Sequence, residues 1–169
     1  MNKTRRTTLA SLSLVALGAL SATIGARHAF ANEPLETGDA ALASAERPPV
    51  EVWKSPTCGC CAGWVEYLED EGFEVVAHDT DDVDAIKSAL GLTDPNLKSC
   101  HTATVGDYVI EGHVPVSDIE RLLAERPDVI GISAPGMPMM SPGMGSREPE
   151  GYDVVSFDEA GRIELFSRH

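Results

Sequence analysis

Hydrophobic and polar residues alternate in Val50-Glu51-Val52-Trp53-Lys54, which predicts a strand. The period then lengthens. Over residues 60–71, Trp64, Val65 and Leu68 fall at helical spacing and Gly72 ends the run, so a first helix is expected. Residues 73–78 predict a second strand. Residues 82–90 predict a second helix, with Val83, Ile86, Ala89 and Leu90 facing inward and Gly91 at its end. Residues 102–105 and 108–111 read as a hairpin turning at Gly106-Asp107. Pro115 opens a third helix, carried by Ile119, Leu122 and Leu123, which ends before Pro127.

Downstream the pattern lapses. Residues 126–150 are rich in Gly, Pro, Met and Ser, and Pro135, Pro138 and Pro142 argue against regular structure there. Residues 152–157 and 162–167 then read as a second hairpin around Glu159-Ala160-Gly161, expected to add strands and to hold the Met-rich loop in place. The order β-α-β-α-β-β-α specifies an α/β fold of thioredoxin-like type, extended by the Met-rich loop and the β-hairpin.

Ahead of this domain, residues 1–31 read as a signal peptide. Lys3, Arg5 and Arg6 precede an interrupted apolar stretch over residues 9–24, and Ala29-Phe30-Ala31 is a cleavage site. Arg5-Arg6 allows twin-arginine export as well as the general route. Residues 32–49 read as a flexible tether, which leaves 50–169 as the folded domain. The mature protein is expected to be periplasmic and not membrane-spanning. The chain has 27 acidic and 13 basic residues, a net charge of −14, and four of the basic residues lie in the leader. So acidic a surface excludes nucleic acid as a partner and is compatible with cations or a basic protein.

All four cysteines fall in two places, Thr57-Cys58-Gly59-Cys60-Cys61 and Ser99-Cys100-His101-Thr102. The first lies where the first strand passes into the first helix. Helix N-termini stabilise thiolate, which is both the nucleophile and the metal ligand. In the thioredoxin-like arrangement the second segment lies opposite the first. A thioredoxin carries a cis-proline there; this chain carries Cys100 and His101. Three sulfurs in four residues, closed by a distant fourth, suit bridged Cu(I). Zinc is the competing metal, but its usual sites use separated pairs of ligands. His113 ends the hairpin at the same end of the sheet as Cys100. Met137, Met139, Met140 and Met144 put four thioethers in one loop, a donor type that favours Cu(I), with Met137 and Met144 the first to test. The same cysteines also fit thiol–disulfide exchange, with Cys58 attacking and Cys61 resolving.

Four segments carry a resemblance: 53–61, 99–103, 108–115 and 134–138. They resemble the family of periplasmic metal-binding proteins, long without assigned function, that includes the copper-resistance protein CopG. The resemblance spans about 50–169. It implies a thioredoxin-like fold, a role in copper tolerance, and Cu(I) held by Cys58, Cys60, Cys61 and Cys100 as a multinuclear cluster. It further implies a copper oxidoreductase role in interconverting Cu(I) and Cu(II). By the resemblance His113 and Met137 would stand close to the site; His101, beside Cys100, and Met144, in the Met-rich loop, are further candidates on their own residue chemistry and not from the resemblance. Copper ions, and periplasmic copper-efflux or redox proteins, are the expected partners.

Overall fold

The structure is a computed structural model and describes residues 47–169. The leader and all but the end of the tether lie outside the described residues. The elements run β1 (Val50–Lys54), α1 (Gly59–Asp70), β2 (Val75–Asp79), α2 (Val83–Ala89), a 3-10 turn (Pro95–Leu97), β3 (Thr102–Val105), β4 (Tyr108–Gly112), α3 (Val116–Glu125), β5 (Gly131–Ala134), β6 (Asp153–Phe157) and β7 (Ile163–Arg168). The fold is mixed α/β, and the expected order from β1 to α3 is present.

All seven strands join one sheet in the order β2-β1-β3-β4-β5-β6-β7. Two pairings, β1 with β2 and β4 with β5, are parallel; the rest are antiparallel. Successive strand residues face opposite sides, and β4 shows this directly. Ile110 packs in the main core with Trp64 and Leu68 of α1 and Ile119 and Leu122 of α3. Its neighbour Val109 packs in a second cluster with Leu92, Leu97 and Phe157. Helices α1 and α3 thus cover one face, and the chain following α2 covers part of the other.

Two expectations are corrected. Residues 126–150 are not wholly irregular, because β5 lies within them, every residue buried, between β4 and β6. A four-residue Gly-Ile-Ser-Ala strand buried on both faces shows no alternation, so the pattern conceals it. In α2, Ala89 is exposed, and the buried residue is Lys87. Packing also starts ahead of β1. Arg47 donates to Glu71 O (2.9 Å), pairs with Glu120 (2.6 Å) and lies over the Phe73 ring. Among the described residues no helix is long and apolar enough to cross a membrane.

A candidate metal centre of four cysteines and two histidines

The N-terminal end of α1 presents the first sulfur group. Cys58 is the N-cap, and Cys60 and Cys61 lie in the first turn, which carries no acidic residue. The helix starts here because Cys58 stays extended while its carbonyl accepts from Ala62 N–H. Cys58 and Cys61 are joined as a disulfide; Cys60 and Cys100 are free.

Cys100 arrives on the loop before β3. Its Sγ lies 3.7 Å from Cys60 Sγ and 3.5 Å from Cys61 Sγ, and Cys60 Sγ lies 3.5 Å from Cys58 Sγ. All four sulfurs fall within 4.8 Å of one another. Burial is the largest influence on the Cys100 thiol and pushes it up to about 11, with the neighbouring Cys60 adding to the effect. A metal would have to displace that proton.

Two buried imidazoles complete the group. His113 Nε2 lies 3.2 Å and His101 Nδ1 3.5 Å from Cys100 Sγ. His113 Nδ1 donates to Pro142 O at 2.7 Å, which fixes the tautomer and leaves Nε2 bare towards the sulfur. The other nitrogen of His101, Nε2, is buried without a partner. Burial holds both histidines below their ordinary value, His101 well below, so both are neutral and able to ligate. Trp64 packs against His101 with ring centres 4.6 Å apart and planes tilted by 39°, and its indole N–H donates to Val114 O at 2.9 Å. Cys100, His101 and His113 form a second compact ligand group that shares Cys100 with the first.

Of the other candidates, Met137 is exposed, as are Met139 and Met140, and Met144 is half-buried. Their loop is nonetheless attached to the centre. Ser99 Oγ donates to Gly136 O, Gly136 N donates to Lys98 O, and Pro142 O anchors His113. Gly143 seats the loop on α1 with φ +83; a Cβ there would stand 2.6 Å from Trp64 N and 2.7 Å from Cys60 O. Gly112 serves the Cys100 loop in the same way. At φ +73 it brings the end of β4 so near Ser99 that a Cβ would stand 2.6 Å from the Ser99 side chain. His78 is distant in role: it pairs with Glu51 and stacks on Trp53. His169 pairs with Asp118.

Sequence reasoning missed the support behind Cys100. Lys87 Nζ donates to Glu111 Oε1 at 2.5 Å with both side chains buried, and the same oxygen accepts from Ser99 N–H at 2.5 Å. Burial raises the Glu111 carboxyl, opposed by Lys87 and by the Ser99 bond. A lysine within the apolar stripe of α2 and a glutamate ending the apolar run Tyr-Val-Ile were the available signals.

The profile of DUF411, a protein of unknown function, matches residues 97–144, which span Cys100, both histidines and the methionines. No curated protein matches the chain. Two solved structures, "Copper resistance protein copG" in Form 2 and Form 1, are each 38% identical, with a TM-score of 0.67; the match covers 73% of this chain and 99% and 98% of theirs. The chain therefore belongs to the family of the copper resistance protein CopG.

Proposed function

We propose that this is an exported copper-handling protein for copper resistance. It would hold Cu(I) through Cys58, Cys60, Cys61 and Cys100 as a multinuclear thiolate cluster, with His113 and Met137 beside it and His101 and Met144 as further candidates. The observation that carries this is the convergence of four sulfurs, from segments about 40 residues apart, within 4.8 Å. Soft thiolates at that density favour Cu(I). The related solved structures, both of copper resistance proteins, support copper as the metal. A redox role fits the same residues. Closing Cys58 and Cys61 to a disulfide releases two electrons and two protons, enough to reduce two Cu(II) to two Cu(I). Copper efflux or redox proteins of the periplasm are the partners such a role calls for, and delivery to them without turnover would use the same ligands.

An anaerobic Cu(I) titration of the reduced chain 32–169, by competition with a chromogenic chelator, tests this. Tight binding of more than one Cu(I), weakened by Cys100→Ser, is expected. Weak binding indifferent to that substitution would sink the copper reading. The closed Cys58–Cys61 disulfide at the start of α1 favours a second reading, a thiol–disulfide oxidoreductase. Capture of client proteins as mixed disulfides by Cys61→Ser would support it.

A further inference from the structure

The free thiol of Cys100 touches a disulfide and a base at once. Its Sγ lies 3.5 Å from Cys61 Sγ, one half of the Cys58–Cys61 bond, and 3.2 Å from His113 Nε2. His113 donates from its other ring nitrogen to Pro142 O, so Nε2 is the one that accepts from the thiol. A nucleophile, a base in contact with it and a third group that orients the base are the parts of an activated thiol. Burial keeps Cys100 protonated at rest, so its attack needs a base within reach. Burial also decides which sulfur is attacked. Cys61 is fully buried, whereas Cys58 and Cys60 are half-buried. A thiol from outside meets Cys58; Cys61 is reached from within, by Cys100.

We infer that Cys100 is an internal nucleophile, with His113 as its base, that moves the disulfide from Cys58–Cys61 to Cys61–Cys100. The Cys100 proton passes to His113 as its sulfur bonds to Cys61. The Cys58–Cys61 bond breaks and its electron pair leaves on Cys58, the N-cap of α1, where helix N–H groups stabilise thiolate. One thiol proton is lost at Cys100 and one is regained at Cys58, so no oxidant or reductant is consumed. With a disulfide bond of about 2 Å, a Cys100 in line for attack would stand about 5.5 Å from Cys58. It stands within 4.8 Å, beside the bond, so the side chain turns about its Cα–Cβ bond before it attacks. The exchange changes what the chain presents. Before it, the free thiols are Cys60 and Cys100, from two segments. After it they are Cys58 and Cys60, both half-buried at the start of α1, while the bond sits on buried Cys61 and ties α1 to the loop before β3. A dithiol opens without net reduction. This goes beyond both readings of function and needs neither a metal nor a client protein.

Alkylation traps the product. The chain 32–169 is oxidised until two free thiols remain, then held in dilute iodoacetamide with a chelator and no reductant, and its labelled and bridged cysteines are mapped by mass spectrometry. A species labelled at Cys58 and Cys60 and bridged between Cys61 and Cys100 is expected, at a rate independent of protein concentration. His113→Ala should slow its appearance by about a hundredfold, the lower end of what a positioned general base contributes. His78→Ala should leave the rate unchanged. Cys100→Ser should abolish labelling of Cys58. Cys100 is half-buried and serine is close to it in shape, so this variant tests the route even if the histidine variant fails to fold. Labelling of Cys60 and Cys100 alone, a new bridge to Cys60, a rate that grows with protein concentration, or Cys58 labelling that survives Cys100→Ser would overturn the inference. A folded His113→Ala chain reacting at the natural rate would remove His113 as the base. The Cu(I) titration is read on the reduced chain and client capture on Cys61→Ser, so those readings stand or fall separately from this one.

Discussion

Cys100 is the one residue common to both ligand groups, and its thiol is held protonated through neutral pH. Each metal it ligates must expel that proton, so apparent Cu(I) affinity should rise with pH up to about 11. Competition titrations at pH 6.5, 7.5 and 8.5 should show a steeper rise for the natural chain than for Cys100→Ser. The slopes should differ by about tenfold in affinity per pH unit for the one proton. Equal slopes would mean that Cys100 is not a ligand. At this scale the sequence was informative wherever a residue type has few other uses. Three cysteines in four positions and a fourth beside a histidine could be read directly, and the structure brings them together with His113. The exposure of Met137 could not be read, because a loop's pattern does not say which side faces the protein. Lys87 and Glu111 were missed because a charged residue in a stripe looks solvent-facing until its tertiary partner is known.

Two elements hold the centre in shape, and each can be loosened separately. The Lys87–Glu111 pair joins α2 to β4 and, through Ser99 N–H, to the Cys100 loop. Removing one partner leaves a buried charge alone, so Lys87→Met should cost about 3–5 kcal/mol in chemical denaturation. The double change Lys87→Met with Glu111→Gln should recover part of that. A cost under about 1 kcal/mol for the single change would show that water reaches the pair. The Met-rich loop is the other element. Gly143→Ala meets the backbone of α1 and a left-handed φ together, so it should destabilise the chain by about 1–3 kcal/mol. It should also release His113 from Pro142, seen as altered chemical shifts of the imidazole. Elements were legible where one face is wet and one dry, as in β1 and α3. Element β5 was hidden because it is buried throughout, and Pro135, one residue beyond its end, suggested the opposite.

Across the whole molecule, burial of two neutral histidines makes stability depend on pH. In the unfolded chain each takes up a proton below about pH 6.5, while in the fold each resists it. The unfolded state then binds more protons, so the metal-free chain should lose stability as pH falls from about 6.5, by up to about 1.4 kcal/mol per unit for each histidine. Urea unfolding at pH 7.5, 6.5 and 5.5 measures this, and a flat profile would mean that the imidazoles are open to water. Glu111, its carboxyl raised, works with the opposite sign at lower pH. Finally, the sulfurs that converge come from opposite ends of a stretch about 40 residues long that includes β2 and α2. A metal spanning Cys60 and Cys100 ties that stretch into a ring. By the chain-entropy treatment of a cross-link, closing about 40 residues is worth about 4 kcal/mol against unfolding. Proteases that attack the opened chain would then cut the loaded protein far more slowly than the empty one, and its survival time would report how much metal it carries.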